Sequence, residues 1–406
     1  MNFDILRQKI LEKAIRGELV PQLESEPEVV QIDRCLANAP FSIPKKWRWA
    51  YFSDVIDLIS GRDLEKDKIL TVNNGIPYIT GASQIQDGNI IVNRWTEHPI
   101  VVSKKGDILL TCKGTIGKIA QNNIGEIHIA RQIMAIRPSE KISIGYITYF
   151  LYYVKNFLVE KAKSMIPGID RKTLLSMPIP LPPIEEQHRI TIRLEGLFKD
   201  LSCAEKSFAD LLTFTKIIKN RVLNKAIRGR LVPQLESEPD SCQIGKPPSK
   251  VPFSIPKKWE WVALRAVFHL KAGKFISAHE IKNYGMYPCY GGNGKRGYVD
   301  KFNREGKFPL IGRQGALCGN INLVEGKFYA TEHAVVADGG ELVDPDCAAF
   351  FLEFLNLNQY ATKTAQPGLS VKRISETPYP LPPLAEQKRI AHKVQKLFKM
   401  LEKMAC

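Results

Sequence analysis

The stretch KAIRGELVPQLESEPE at residues 13–28 returns as KAIRGRLVPQLESEPD at residues 225–240, 212 positions later. Only two positions differ between the copies: Glu18 corresponds to Arg230, and Glu28 corresponds to Asp240. A single chain that keeps one sequence twice is predicted to contain two units built on one plan. The Glu18/Arg230 difference is predicted to lie at a solvated position that tolerates either charge.

Two further repeats mark the edges of each unit. PFSIPKKWRW (40–49) returns as PFSIPKKWEW (252–261) at the same offset of 212. PIPLPPIEEQHRI (178–190) returns in altered form as PYPLPPLAEQKRI (378–390) at an offset of 200. Because the sequences between these anchors diverge, we interpret each unit as a variable domain between near-identical flanks.

One flank is predicted to be a long helix over residues 184–228, about 65 Å at ~1.5 Å per residue. Glu185 and Glu186 lie in its first turn, where the helix dipole favours acidic side chains, and Gly229 is predicted to end it. Its apolar residues alternate in steps of four and three, the a/d pattern of a coiled coil. They are Ile190, Leu194, Leu197, Leu201, Ala204, Phe208, Leu211, Thr215, Ile218 and Val222.

The corresponding second helix is predicted to be split between the two ends of the chain. The first half of the pattern recurs at offset 200 and the second half at offset 212, with Gly17 as the end. The recurring residues are Ile390, Val394, Leu397, Leu401 and Met404, followed by Phe3, Leu6 and Ile10. We expect the two long helices to form an antiparallel coiled coil and the termini to lie close together. Independent helices that pack on their own domains are the alternative.

The variable domains, 41–183 and 253–383, are predicted to be α+β. Short β-like runs such as IPYIT (76–80) are separated by Gly and Asn turns, and an apolar helical stretch follows in each domain. We predict that the aromatic face of each helix is core. The predicted organisation is an N-terminal helix (1–17), a connector and first variable domain (18–183), a central helix (184–229), a connector and second variable domain (230–383) and a distal helix (384–406).

Five loops with basic and glycine residues, two corresponding pairs and one further loop, are candidates for ligand contact. GDILLTCKGTIGK (106–118) corresponds to GKFPLIGRQGALCGN (306–320), and SMIPGIDRK (164–172) corresponds to TAQPGLSVK (364–372). The second domain adds a glycine-rich loop, YGGNGKRGYVDK (290–301). Such loops let backbone and side chains approach phosphates or base edges, whereas ordinary turn chemistry is the alternative.

The charge balance favours a polyanionic partner. The net charge is +16, from 58 Lys and Arg against 42 Asp and Glu, and neutralisation of phosphates drives nucleic-acid binding. The eight cysteines are scattered without a CxxC pair, which favours free thiols in a reducing cytoplasm over a zinc site. No apolar run approaches the ~20 residues of a membrane span, and the first residues do not read as an export signal.

The sequence lacks the common motifs of catalysis. The sequence contains no Walker A loop, no Asn/Asp-Pro-Pro-aromatic motif, no HExxH and no GxSxG. Glu325-Gly-Lys327 has the spacing of half a nuclease motif without a convincing upstream Asp. His128 and His333 fall at roughly corresponding places, and we favour polar contacts on a strand for them over catalysis. A self-sufficient nuclease or methyltransferase is therefore disfavoured.

These repeats resemble the specificity subunit of type I restriction-modification enzymes. The resemblance covers nearly the whole chain and is carried by the L-P-P-x-x-E-Q-x-x-I pattern, present twice, and by the two KAIRGxLVPQ segments. It implies two pseudo-symmetric target-recognition domains joined by an antiparallel coiled coil. Each domain would read one half of a split DNA site, with a gap set by the helices.

The resemblance also implies partners. Two modification (methyltransferase) subunits would dock on the helices and bring S-adenosylmethionine. Restriction (motor-nuclease) subunits would bring ATP and Mg, so the chain itself would be non-catalytic, without a cofactor of its own, and cytoplasmic. A modification-only methyltransferase, or a scaffold without a DNA role, are the alternatives.

Placement and composition select the candidate DNA contacts. Arg and Gln are suited to guanine and adenine edges and Lys to phosphates. The candidates are Lys113, Gly114, Thr115, Arg131, Gln132, Arg171 and Lys172 in the first domain, and Asn293, Lys295, Arg296, Arg313, Gln314, His333 and Lys372 in the second.

Overall fold

Residue contacts divide the chain into two units in the computed structural model: unit 1, Met1–Lys206, and unit 2, Ser207–Cys406. The structure describes residues 2–29, 36, 39–161, 168–242, 244, 247–315, 317–362 and 367–405. The predicted approach of the termini concerns Met1 and Cys406, which lie outside the described residues. So do the first residues of SMIPGIDRK and TAQPGLSVK, at 164–167 and 364–366.

Unit 1 consists of short strands, a long apolar helix, a short helix and two helices of the flanks. Its helices are α1 (Phe3–Ile15), α2 (Ile144–Lys161), α3 (Arg171–Leu175) and the first part of α4 (Ile184–Ile227). Its strands are β1 (Arg48–Tyr51), β2 (Ile56–Ser60), β3 (Ile76–Ile79), β4 (Ile85–Gln86), β5 (Asn89–Ile90), β6 (Trp95–Thr96), β7 (Val102–Ser103), β8 (Ile108–Thr111), β9 (Ile119–Gln121), β10 (Ile127–Ile129), β11 (Ile133–Pro138) and β12 (Pro178–Leu181).

Unit 2 repeats this arrangement with longer strands. Its strands are β13 (Glu260–Ala263), β14 (His269–Ala272), β15 (Tyr287–Gly291), β16 (Gly294–Val299), β17 (Arg304–Gly312), β18 (Ile321–Ala330), β19 (Ala334–Asp338) and β20 (Pro378–Leu381). Besides the second part of α4, its helices are α5 (Leu264–Val267), α6 (Pro345–Leu355), α7 (Val371–Ile374) and α8 (Leu384–Ala405). The mixture of helices and sheets confirms the α+β prediction.

The main sheets of the two units share most of their strand order. In unit 1 the order β2-β11-β8-β9 forms one sheet and β6-β3-β10-β7 another. In unit 2 a single six-stranded sheet has the order β14-β19-β17-β18-β15-β16. The long strand β18 pairs with β17 along most of its length and with β15 at its end. Strand β18 thus makes the pairings that two separate strands make in unit 1, where β9 pairs with β8 and β10 pairs with β3.

The two predicted helix stops are confirmed as left-handed glycines. Gly17 has φ +75° and Gly229 has φ +65°, a conformation in which a side chain is strained. A Cβ on either glycine would also lie within 2.4 Å of a proline ring, that of Pro44 or Pro256. The repeated KAIRG sequence therefore ends each helix because the chain must turn tightly against the next repeated segment.

The helix pairs within each unit run antiparallel. In unit 1 Arg7 of α1 forms an ion pair of 2.5 Å with Glu205 of α4, while the segment that follows α1 returns to the start of α4. In unit 2 Lys219 of α4 forms an ion pair of 3.0 Å with Glu402 of α8. The predicted a/d residues of α4 are buried or half-buried except Ala204, which is exposed. The seam prediction is therefore confirmed at nine of its ten positions.

The repeated connector is fastened by a set of polar contacts that we call the connector clasp. It consists of Gln22, Glu26, Lys46, Trp47, Glu186 and Arg189 in unit 1, and of Gln234, Glu238, Lys258, Trp259, Glu386 and Arg389 in unit 2. Each member of the first set matches one of the second at an offset of 212 or 200. The clasp explains why the connector sequence repeats: it holds the chain that leaves one helix against the start of the next.

At the centre of each clasp is a buried glutamate. The two oxygens of Glu186 accept hydrogen bonds from the side chains of Gln22 and Trp47, the latter at 3.0 Å. An arginine three residues further along the helix, Arg189, binds Glu26 through two nitrogens at 2.9 and 2.7 Å. The ammonium of Lys46 caps three carbonyls of the connector at 2.6–2.8 Å. Every charge in the clasp is thus paired or hydrogen-bonded, as buried charges require.

The charge difference between the two copies of the connector, Glu18 against Arg230, lies at a solvated position, as predicted. Glu18 and Arg230 are both exposed, so the charge reversal between the copies is tolerated because neither side chain is removed from water.

The aromatic faces of the two apolar helices are part of the core, as predicted. Tyr146 and Phe150 of α2, and Phe351 of α6, are buried in the main cores of their units.

Two buried tyrosines, one in each unit and at different places in the fold, provide a test of the two cores. The Tyr146 hydroxyl donates to the Pro180 carbonyl at 2.8 Å, whereas the buried Tyr379 hydroxyl has no hydrogen-bond partner among the described residues. We expect Tyr146→Phe to destabilise unit 1 by about 1 kcal/mol and Tyr379→Phe to leave unit 2 unchanged or slightly more stable. Urea unfolding of the two variants measures this difference. Equal losses in both would contradict it.

Candidate nucleic-acid interface

The candidate residues of unit 1 gather at one end of its sheets. Strand β2 ends, β8 ends and β11 begins at this end, because Ser60 pairs with Met134 and Thr111 pairs with Ile133. The loops that leave these strands are residues 61–63, 112–118 and 130–132. Segments 79–83 and 168–169 lie beside them. We call these five segments the loop frame of unit 1.

Main-chain hydrogen bonds hold the loop frame together. The Cys112 amide donates to the Gln132 carbonyl at 2.8 Å, and the Ile169 amide donates to the Cys112 carbonyl at 2.9 Å. The Arg62 amide donates to the Ile129 carbonyl at 2.9 Å. These bonds involve backbone atoms alone, so the frame can be kept while its side chains change.

Unit 2 has the same loop frame, made of segments 273–275, 290–294, 313–319, 331–333 and 367–369. The Arg313 amide donates to the His333 carbonyl at 2.9 Å, and the Leu369 amide donates to the Arg313 carbonyl at 2.8 Å. The Lys274 amide donates to the Ala330 carbonyl at 3.0 Å. Each of these bonds has its counterpart in unit 1.

These bonds fix which residues of the two units correspond. Cys112 corresponds to Arg313, and Gln132 corresponds to His333. Arg62 corresponds to Lys274, from which it follows that the next residues, Asp63 and Phe275, correspond too. Arg131 corresponds to Glu332 by the same count. The predicted correspondence of His128 with His333 is therefore wrong, since the unit 1 partner of His333 is Gln132.

His128 is a buried residue of strand β10. Its Nδ1 lies 2.8 Å from the Val101 carbonyl and its Nε2 lies 3.0 Å from the Arg62 carbonyl. Burial lowers the pKa of His128, and its backbone hydrogen bonds oppose that shift. The prediction of a polar contact on a strand is confirmed for this residue. His333 is half-buried, with Nε2 3.1 Å from Glu332.

The loop after β8 presents three of the predicted contacts to solvent. Lys113, Gly114 and Thr115 are all exposed. Gly114 has φ +72° and open space where a side chain would be, so the backbone could be approached closely there. The Thr111 hydroxyl donates to the Thr115 carbonyl at 2.7 Å, which fixes the shape of the loop.

The corresponding loop of unit 2 is bonded to the segment beside it through the backbone. Arg313 is half-buried and Gln314 is exposed. Gln314 forms a β-bridge with Gly368, and the Gly315 amide donates to the Pro367 carbonyl at 3.0 Å. The predicted contacts Arg313, Gln314 and His333 are thus brought together by the frame.

The glycine-rich segment of unit 2 is a hairpin rather than the predicted loop. Strands β15 and β16 pair antiparallel and turn at Gly292 and Asn293. Asn293 is exposed at this turn, beside the frame, while Lys295 and Arg296 extend from β16. The Lys295 ammonium lies 3.8 Å from the centre of the Tyr298 ring. Glycines hid the strand because they lack the side-chain alternation by which a strand is recognised.

Three predicted residues lie on short helices beside the frame. Arg171 and Lys172 belong to α3, and they line an open cavity of about 690 Å³ with Tyr51 and Ser53. Arg171 also donates to the Leu58 carbonyl at 2.5 Å, so it fixes the backbone of β2. Lys372 is exposed on α7, at the corresponding place in unit 2.

Two exposed basic residues of the frame were missed by the sequence reasoning. Arg62 and Lys274 are exposed and follow a glycine at the ends of β2 and β14. The sequence does contain a signal for them, since a glycine followed by a basic residue occurs in Ser60-Gly61-Arg62 and again 212 positions later in Ala272-Gly273-Lys274.

Among the described residues, no group of three or more His, Cys, Asp or Glu side chains is placed to hold a metal ion. No helix in the described part of the chain could cross a membrane.

Comparison with known proteins identifies the family. The family model described as "Type I restriction modification DNA specificity domain" matches residues 44–207 and 256–405. The chain therefore belongs to the type I restriction-modification specificity family, with two copies of its domain. This finding confirms the resemblance on which the expectations were based.

Individual relatives agree with the family. The chain is 47% identical over 133 residues to the EcoprrI specificity subunit of Escherichia coli, 32% of this chain and 33% of that protein. It is 25% identical to the MjaVIII specificity subunit of Methanocaldococcus jannaschii over 89% of this chain and 88% of that protein. The chain spans 33% to 54% of the length of three Escherichia coli relatives.

The fold also has a solved counterpart. A chain from a structure on "complex assembly and conformational transition of the type I R-M system" has a TM-score of 0.68, with 18% identity. The match covers 90% of this chain and 93% of that chain. At this identity the likeness establishes the fold, which is kept while most side chains differ.

Proposed function

We propose that this chain is the DNA-specificity subunit of a type I restriction-modification enzyme, in which each unit reads one half of a bipartite site. The loop frame carries this proposal. The same main-chain hydrogen bonds occur in both units, yet the residues they present differ: Gln132 against His333, and Arg131 against Glu332. Two domains that must read two different base sequences from one scaffold require this combination.

The electrostatics of the frame support DNA as the ligand. Lys113 in unit 1 is exposed, and so are Arg62 and its counterpart Lys274. Exposed lysine and arginine position a protein on the phosphates, while Arg, Gln and Asn side chains read base edges in the major groove. The whole set of predicted contact residues remains part of this proposal.

We further propose that two modification (methyltransferase) subunits dock on the repeated flanks, with restriction subunits joining the assembly. The flanks carry two corresponding apolar cavities, of about 410 Å³ beside Phe41 and about 470 Å³ beside Phe253. An arginine lies over each ring, Arg16 at 4.6 Å and Arg228 at 4.4 Å. A surface that is present twice is suited to two copies of one partner.

This assignment places the chemistry on the partners in the cytoplasm. The modification subunits would supply S-adenosylmethionine, and the restriction subunits would supply ATP and Mg. This chain would be non-catalytic and would contribute recognition alone. A modification-only enzyme would use the chain in the same way without restriction subunits.

Sequencing of modified bases in a host that expresses this chain with its modification subunit tests the proposal. We expect a new bipartite motif with methylated adenines in both halves, which is absent from a host with the modification subunit alone. A scaffold without a DNA role would also have duplicated docking surfaces, but it would add no motif. An unchanged pattern of modified bases would therefore remove the proposal.

A further inference from the structure

The two loop frames carry opposite charges at one position. Arg131 of unit 1 corresponds to Glu332 of unit 2, and the neighbour of Arg131 in space, Asp63, corresponds to Phe275. The two units therefore differ in both members of an interacting pair, Arg131 and Asp63 in unit 1 against Glu332 and Phe275 in unit 2. At this position the two units therefore present side chains of opposite charge to a ligand.

Arg131 is contacted by Asp63 at its backbone amide and its Nε, and the end of its guanidinium is exposed. Its side chain is 70% exposed, and its Nε lies 2.7 Å from Oδ2 of Asp63. The other carboxylate oxygen of Asp63 accepts a hydrogen bond of 3.1 Å from the Arg131 amide. The Asp63 carboxylate thus contacts both the backbone amide and the Nε of Arg131. Neither Nη group donates a hydrogen bond to the described part of the chain.

This arrangement does little for stability. An ion pair between exposed side chains contributes about 0–1 kcal/mol at most sites. It does restrict the rotamers of a long side chain, which reduces the entropy lost when that side chain binds a ligand. An arginine whose two Nη groups point away from its support presents two parallel donors, the fork that matches paired acceptors.

We propose that Arg131, oriented by Asp63, reads a guanine in the half-site of unit 1, an inference that rests on the proposed function. The two Nη groups donate to O6 and N7 of the guanine in the major groove. Asp63 is a positioning residue, since it acts through Arg131. Because Arg62 precedes Asp63 and is exposed, a phosphate contact beside the same base pair would complete the site.

Unit 2 lacks this reader. Glu332 has one oxygen 3.1 Å from Nε2 of His333 and the other buried without a hydrogen-bond partner in the described residues. Phe275, at the place of Asp63, is 76% exposed and has no charge. A carboxylate cannot donate to guanine O6 and N7. At this position, the preference for guanine is therefore specific to the half-site of unit 1.

The test uses the complete methyltransferase complex and a library of DNA with randomised half-sites. Selected sequences are compared for the wild type, Arg131→Ala, Arg131→Lys, Asp63→Ala and the control Glu65→Ala. Glu65 lies two residues after Asp63 in the chain, outside the loop frame, and is paired with Lys68 at 2.9 Å, so this control removes an equal charge nearby. Thermal melting of each complex shows that the variants are folded.

We expect Arg131→Ala to lower the preference for guanine at one position by about 5- to 100-fold. Arg131→Lys should lower it too, because a lysine keeps the charge and loses the fork. Asp63→Ala should relax the same position to a smaller degree. Glu65→Ala should have no effect, and the half-site of unit 2 should be unchanged in every variant.

Several outcomes would overturn the inference. They are an unchanged preference in Arg131→Ala and Arg131→Lys, loss of a base other than guanine, and relaxation in the half-site of unit 2. An effect of Arg131→Ala without any effect of Asp63→Ala would remove the role of Asp63. If the wild-type complex selects no bipartite sequence, the proposed function fails first. If the wild-type complex selects a bipartite sequence but the variants do not change its guanine preference, only the inference about Arg131 fails and the proposed function stands.

Discussion

Replacing Glu386 by alanine should destabilise unit 2 by about 2–5 kcal/mol, and Glu186→Ala should do the same to unit 1. Glu386 is 1% exposed, and its two oxygens accept hydrogen bonds from Gln234 and from Trp259, the latter at 2.9 Å. Alanine would leave both donors without an acceptor. It would also release the connector that follows α4 from the start of α8.

Glu185→Ala provides the matched control. Glu185 is exposed beside Glu186 on the first turn of α4, and the chain already has alanine at the corresponding position, Ala385. We expect this variant to change stability by no more than about 0.5 kcal/mol. Urea unfolding, followed by tryptophan fluorescence, measures all three. A Glu386→Ala loss no larger than that of the control would contradict the role given to the clasp.

The clasp glutamates also make stability depend on pH. Burial raises the pKa of Glu186 and Glu386 above the ordinary value of 4.5, and the hydrogen bonds from Trp and Gln oppose this shift without cancelling it. Between 4.5 and the raised pKa the folded chain therefore binds more protons than the unfolded chain. Their contribution to stability is largest below this window and falls as pH rises through it. Glu186→Gln and Glu386→Gln should remove that fall.

The flanks were predictable from the sequence because the chain repeats them. The long helix was predicted over 184–228 and spans Ile184–Ile227, and both glycine stops are in place. Apolar spacing marks such elements directly, since one helix face must be buried over many turns. The single exception in the seam, Ala204, is small enough to remain exposed at little cost.

The loop frame was less accessible to sequence reasoning. Its correspondences depend on backbone hydrogen bonds, which leave no mark in the side chains. The strands between the anchors also differ in length, since β18 of unit 2 replaces both β9 and β10. Counting along the sequence therefore paired His128 with His333, although Gln132 is the true counterpart. Asp63 could not be found at all, because its link to Arg131 joins residues 68 positions apart.

Replacing both Arg62 and Lys274 by alanine should weaken DNA binding by the assembled methyltransferase without changing its sequence preference. Both residues are fixed through their backbone, by hydrogen bonds of 2.9 and 3.0 Å to the strands beside them. Their side chains are exposed and form no ion pair with the described residues. They are therefore available to phosphates, which carry no sequence information.

The dependence of binding on salt separates this role from base reading. Each phosphate contact contributes about 0.9 to the slope of log K against log salt concentration. We expect the double variant to reduce the magnitude of that slope by about 2, with the selected motif unchanged. Lys105→Ala is the control, because Lys105 is exposed at the opposite end of β8 from the frame, and its slope should match the wild type. An unchanged slope in the double variant would show that the phosphates do not lie at this end of the sheets.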